Sequence, residues 1–145
     1  MEDLIGVEVD RVGFDVERGK ILEFARATHA QDPAHRDPAA EGGTGVLATA
    51  THVVVAGQHR DQEKFTAALG LDRTRVVVGS VDWHYARPLR AGDTLTGIRR
   101  VVADETREGR RGGRMRLVTL ETEFTDQDGE IAVRQREVLI ERGQA

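Results

Sequence analysis

Two histidines and two aspartates, His29, Asp32, His35 and Asp37, fall in one polar stretch punctuated by Pro33 and Pro38 and ending in Gly42, Gly43 and Gly45. An imidazole titrates near neutral pH and a carboxylate can accept or return a proton, so His35 with Asp32 forms a candidate acid-base pair. The competing reading has His35 capping the loop or hydrogen-bonding Asp32 or Asp37. The same four side chains are of the types that hold zinc or non-haem iron, yet their spacing matches no metal motif, so solvated loop residues and no metal are expected. His52, inside the apolar run Val46–Ala56, is expected as a satisfied core or interface histidine. His84, beside Trp83, reads as an ordinary sheet residue. Arg107, Arg110, Arg111, Arg114 and Arg116 cluster around a turn, and guanidinium forks fit phosphates; a solvated hairpin with Asp104, Glu105 and Glu108 explains them equally well. Arg87 and Arg90, flanking Pro88, carry the same two readings.

The elements that must position these residues change in texture along the chain. Val7 to Phe14 reads as a short strand limited by Gly13. Ile21, Phe24, Ala25 and Thr28 make the stripe of an amphipathic helix, with Asp15 or Glu17 suited to its N-terminal end and Pro33 stopping it. Val46–Ala56 is ambiguous: its β-branched residues favour a strand, but its glycine-rich approach and the helical spacing of Gln58 to Leu69 predict a buried helix. From Arg75 onward the chain reads as strands. Val77, Val81, Trp83 and Tyr85 are expected on one face of the first; Leu89 to Asp93 is a turn, and Thr94 to Val102 is the next strand. Asp104 to Gly113 is expected as a charged connection. Met115 to Thr125 and Ile131 to Ile140 make a hairpin across Asp126-Gln-Asp-Gly129. The pattern predicts an α+β layer architecture, an antiparallel sheet covering a helix.

A chain of 145 residues with 39% hydrophobic and 32% charged residues suits one domain over 1–145, with one sizeable core. The net charge of -4 argues against a general nucleic-acid binder, which needs a basic field. Cysteine is absent, which excludes disulfides and thiolate metal sites. No stretch has signal-peptide character or the length of a membrane span, and a cytoplasmic location is expected. Only Lys20 and Lys64 are lysine among 21 basic side chains, a usage attributed to genome composition.

Several segments together carry a resemblance: Phe24-Ala-Arg-Ala, Asp32-Pro-Ala-His35-Arg-Asp37, Gly45-Val-Leu-Ala-Thr-Ala-Thr51, Tyr85-Ala-Arg-Pro-Leu-Arg-Ala-Gly-Asp93 and Glu121-Thr-Glu-Phe-Thr-Asp-Gln-Asp-Gly129. In order and spacing they resemble the MaoC-like N-terminal dehydratase domain of hot-dog proteins. That group includes the accessory subunits of mycobacterial-type (3R)-hydroxyacyl-ACP dehydratases. The resemblance implies a single hot-dog fold, a sheet wrapped round a central buried helix, and interconversion of trans-2-enoyl and (3R)-3-hydroxyacyl thioesters of CoA or acyl carrier protein. It also implies dimers whose sheets join, and no cofactor.

The pattern Asp-x-Asn-Pro-x-His of related catalytic subunits, laid on Pro33 and His35, puts the family's histidine at His35, its asparagine at Asp32 and its catalytic aspartate at Ala30. Alanine can neither accept nor donate a proton, so the resemblance implies an accessory, substrate-binding chain paired with a catalytic MaoC-type subunit. The alternatives are a self-sufficient homodimeric hydratase using His35 and Asp32, and a non-catalytic acyl-thioester-binding protein. The implied oxyanion donors are backbone N–H groups around Thr49 and Ala50, and the implied substrate contacts are Thr51, Arg87 and Arg90. The phosphates of CoA, or the acidic face of a carrier protein, are the partners the arginines would meet.

Overall fold

The computed structural model describes residues 3–37, 46–111 and 113–143; the glycine-rich approach at 42–45 lies outside them. In chain order the elements are β1 (Glu8–Asp15), α1 (Arg18–Ala27), short 3-10 turns at Pro33–His35 and Arg73–Arg75, a 3-10 segment His52–His59, α2 (Gln62–Ala68), β2 (Val76–Tyr85), β3 (Thr94–Glu108), β4 (Arg114–Thr125) and β5 (Ile131–Glu141). The strands form one antiparallel sheet in the order β1-β3-β4-β5-β2, with β1 and β2 at its edges. The α+β expectation holds, with the helical elements on one face of the sheet.

Strand alternation builds the core. Val12 and Phe14 of β1, Leu95 of β3, Phe124 of β4 and Val133 of β5 point inward against Ile21 of α1 and Val53 and Ala56 of the 3-10 segment. A second cluster joins Phe65 and Leu69, at and just after α2, to Val101, Val118, Leu120 and Leu139. Phe124 is fully buried beside Gly97, where any Cβ would come within 2.6 Å of its ring. Glycine there is a packing requirement.

Four expectations are corrected. The helix α1 ends at Ala27, well before Pro33, because His29 takes a left-handed φ of 58° and the Ala30 amide closes back on Ala25 O at 2.9 Å. The stretch from Val46 is not one helix. Residues 46–48 are extended, with Leu47 bridged to Arg90, and only His52–His59 winds, as a 3-10 turn series. Its β-branched valines disfavour a regular α-helix, and Asp61, capping Lys64 N at 2.9 Å, starts α2 as a separate helix. β3 runs on to Glu108 through the expected charged connection, because its charges find partners, notably Asp104 with Arg116 at 2.7 Å. Lastly, β2 shifts register between Val78 and Ser80. The extra residue, Gly79, puts Val78 on the face of Val81, Trp83 and Tyr85 and turns Val77 outward.

Candidate active site

The loop that carries His35 is shaped by its own sequence. Pro33 begins a single 3-10 turn, and Asp32 caps it, its Oδ1 accepting from the Ala34 amide at 3.0 Å. The following extended piece docks beside it: Leu47 N donates to Ala34 O at 2.8 Å, and Ala48 N donates to Leu89 O at 2.8 Å. Residues 46–48 are therefore held between the His35 loop and the turn after β2.

His35 Nδ1 lies 2.7 Å from Leu47 O. A carbonyl oxygen only accepts, so Nδ1 carries the proton and the neutral ring keeps its lone pair on Nε2. Asp32 makes neither a hydrogen bond nor an ion pair with His35. The ring is oriented by backbone rather than by Asp32. Position 30 offers only a methyl group, half-buried.

His35, Leu47, Ala48, Ala50, Tyr85 and Arg87 line a cavity of about 440 Å³. The turn leading into the 3-10 segment borders it through Ala48 and Ala50, and in that turn Thr49 and Ala50 N–H donate to nothing among the described residues. Tyr85 Oη donates to Ala50 O, and burial pushes the phenol up to about 12, so it stays a protonated donor. That bond fixes the orientation of the peptide whose neighbours carry the free N–H groups. Thr51 follows on the exposed side of the same turn.

Arg87 lines the cavity, but its terminal nitrogens are engaged. They bond Asp93 at 2.8 and 3.0 Å and Asp126 at 3.0 Å. Burial alone would raise the Asp93 carboxyl; hydrogen bonds from Arg87, the Arg90 amide and Gln127 outweigh it and hold the group below the usual carboxylate range. The Arg87 bond likewise holds Asp126 low. Arg90 sits on the exposed side of the turn, bridged by backbone to Leu47. In the arginine cluster, Arg107 pairs with Glu105, Arg114 with Glu108 and Arg116 with Asp104.

His52 is buried against Phe24, with ring centroids 5.4 Å apart. Its Nδ1 has no hydrogen-bond partner, so the expected satisfied histidine is corrected to an apolar-packed one; burial, then the Lys20 charge, lower its pKa. A second cavity of about 270 Å³, lined by Val53, Val78, Val81, Trp83, Arg60 and Gln135 among others, continues along the same face of β2 beyond Tyr85. Sequence reasoning missed it. The available signal was polar residues at inward strand positions: Asp10 on β1, Arg99 on β3, Gln135 and Glu137 on β5.

The family model for the FAS1-like, dehydratase domain region matches residues 3–135. A UPF0336 protein of Saccharopolyspora erythraea is 35% identical over 136 residues, covering 91% of this chain and 84% of that protein. A chain of the C-terminally truncated HadBC (3R-hydroxyacyl-ACP dehydratase) complex from Mycobacterium tuberculosis superposes with a TM-score of 0.77 at 23% identity, over 96% of this chain and 98% of that one. A MaoC-like dehydratase superposes with a TM-score of 0.81 at 25% identity, over 97% of this chain and 42% of that one. The fold is the MaoC-like hot-dog fold. Among the described residues no helix is long and apolar enough to cross a membrane.

Proposed function

This chain belongs to the FAS1-like dehydratase domain region family, and we propose that within it the chain is the substrate-binding accessory subunit of a (3R)-hydroxyacyl-thioester dehydratase, equally a trans-2-enoyl-thioester hydratase. The observation that carries this reading is the state of the acid-base pair. Ala30 stands where a carboxylate is needed, and Asp32 is turned back as a cap on Ala34 N at 3.0 Å. His35 Nδ1 is bonded to Leu47 O, which leaves Nε2 as its basic atom, and no hydrogen bond joins the ring to Asp32.

Dehydration needs a base for the C2 proton, an acid for the departing hydroxyl and donors for the thioester oxygen as it gains charge. The free N–H groups of Thr49 and Ala50, held by Tyr85, suit the last role. A partner chain of MaoC type would bring the aspartate and histidine. The HadBC complex, itself built of two different subunits, supports a heteromeric arrangement. So does the edge strand β2, which exposes Val77 and Val78 beside an open sheet edge. An acyl-CoA or acyl-carrier-protein thioester would enter at the His35 cavity, with Thr51 and Arg90 at its rim, and Arg87 would act by holding the turn.

The test is hydration of crotonyl-CoA and a longer trans-2-enoyl-CoA by the chain alone and mixed with a MaoC-type partner, with mass followed by light scattering. Turnover only in the mixture, as a heteromer, is expected. Turnover by the chain alone, abolished by His35→Ala and by Asp32→Ala, would instead establish a self-sufficient homodimer. Thioester binding without turnover beside any such partner would leave the non-catalytic binding protein.

A further inference from the structure

One row of inward-facing residues crosses the whole sheet: Asp10 on β1 is paired with Arg99 on β3, Arg99 with Thr122 on β4, Thr122 with Gln135 on β5, and Gln135 with Trp83 on β2. Four of these five side chains are polar, on a face whose other inward residues are apolar apart from Glu137. Arg99, second in the row, is 3% exposed, grips Asp10 with bonds of 2.9 and 2.6 Å, bonds Glu137 at 2.7 Å and stacks on Phe65 at 4.1 Å. Arg60, at the end of the 3-10 segment, closes over the row and bonds Asp10 at 2.6 Å. Two guanidinium groups and two carboxylates cancel in charge.

Their hydrogen bonds do not cancel. Arg60 Nη2 is buried without a partner, in a side chain that is 5% exposed, and Thr122 Oγ1 is buried without one as well. Gln135 adds a donor. Its amide must present oxygen to Trp83 Nε1, 2.9 Å away, because an indole N–H only donates, and this leaves the Gln135 N–H group unbonded. Arg60 and Gln135 both line the 270 Å³ cavity, whose remaining wall includes Val53, Val78, Val81 and Leu139. The apolar cavity is therefore bordered by Arg60, which carries a buried donor without a partner, and by Gln135, whose spare amide N–H is half-buried; an unpaired buried donor is costly.

The cavity and the His35 site lie along the same strand. Trp83 and Tyr85 share one face of β2, Tyr85 lining the first cavity and Trp83 the second. The 3-10 segment His52–His59, which lines the second cavity, is on the order of 16 Å long at its usual rise. Resting on the acyl-thioester reading above, we propose that this second cavity holds the distal part of the acyl chain and selects chains that carry an uncharged oxygen there, a ketone or a hydroxyl, read by Arg60 and Gln135. A terminal carboxylate is the wrong occupant, because it would add an uncompensated charge to a quartet that is already neutral.

The experiment is calorimetric titration of the purified chain, in its native assembly, with matched acyl-CoA pairs from eight to sixteen carbons. One member of each pair is plain and the other bears a ketone on the penultimate carbon; a third series ends in carboxylate. The keto member of at least one pair is expected to bind about tenfold tighter, the size of one hydrogen bond to a charged donor. Arg60→Met is expected to erase the preference between the members of each pair. Should that variant not fold, Gln135→Glu carries the same readout, because it keeps an acceptor for Trp83 and removes both N–H donors. Equal affinity within every pair, a preference surviving both substitutions, or tightest binding by the carboxylate series overturns this assignment while leaving the acyl-thioester reading in place. Failure of every thioester to bind overturns both.

Discussion

Arg87 and Arg99 are both clamped between two carboxylates, yet they do opposite things. Arg87, a third exposed, joins Asp93 and Asp126 at the turn beside the His35 cavity, and its terminal nitrogens are fully occupied. Arg99, buried, joins Asp10 and Glu137 beneath the 3-10 segment, next to an Arg60 nitrogen with nothing to bind. The first network is saturated and acts as architecture: it ties the turn at 89–93 to the hairpin at Asp126. The second is balanced in charge and unbalanced in donors, which is the condition of a site awaiting a ligand. Proximity to the candidate active site is thus a poorer guide to binding than the count of unmet hydrogen bonds.

The sharpest way to break the comparison is Arg99→Met. It strands Glu137 and leaves Asp10 with Arg60 alone, both carboxylates being largely buried, and a loss of about 3–5 kcal/mol in denaturant unfolding is expected; a loss under about 1 kcal/mol would mean that water already reaches the quartet. Arg87→Met should cost about 1–2 kcal/mol, less because solvent screens the guanidinium edge. It should also change the response to acid. Asp93 and Asp126 titrate below their unfolded value near 4, so their contribution is complete above that pH and is lost as pH falls through the lowered folded values. The urea midpoint of the wild type should therefore fall steeply below about pH 4, and that of Arg87→Met more gently; parallel slopes would remove Arg87 as the cause. Tyr85→Phe should have the smallest effect, about 1 kcal/mol or less, because only its bond to Ala50 O is lost. A larger drop in turnover of the assembled enzyme than in stability would mark Tyr85 as a positioning residue for the Thr49 and Ala50 amides.

The fold was legible where alternation and turn chemistry agree. The β4–β5 hairpin turns where Asp126-Gln-Asp-Gly129 says it should, Gly129 taking a φ of 81°. It was illegible where one inserted residue changes parity. Gly79 exchanged Val77 for Val78 on the inner face, and nothing local in Val76-Val-Val-Gly-Ser announces that. The apolar stretch from Val46 misled because its approach and its sequel are both helix-compatible, whereas its course is set by distant partners, Ala34, Leu89 and Arg90. In the site, the gap at Ala30 was readable from residue identity alone. The Asp32 cap on Ala34 N is local, two residues away, whereas the orientation of His35 by Leu47 O depends on a loop closing against a segment twelve residues away. The inward polar row needed strand register. Its one local trace is the alternation Leu95, Gly97, Arg99, Val101, where a cation interrupts the buried side of β3.

The two margins of the sheet are unlike. β1 carries Glu8, Asp10, Arg11 and Asp15, charges that discourage a further strand, whereas β2 presents Val76, Val77 and Val78 next to the Gly79 bulge. A bulged strand offers only a short straight run before it bends away, so a neighbour must match that run to pair at all. One margin favours a fitted neighbour and the other discourages any. Such a sheet ends its own growth at the first pairing, which keeps five adjacent strands with an open apolar border from seeding a fibre.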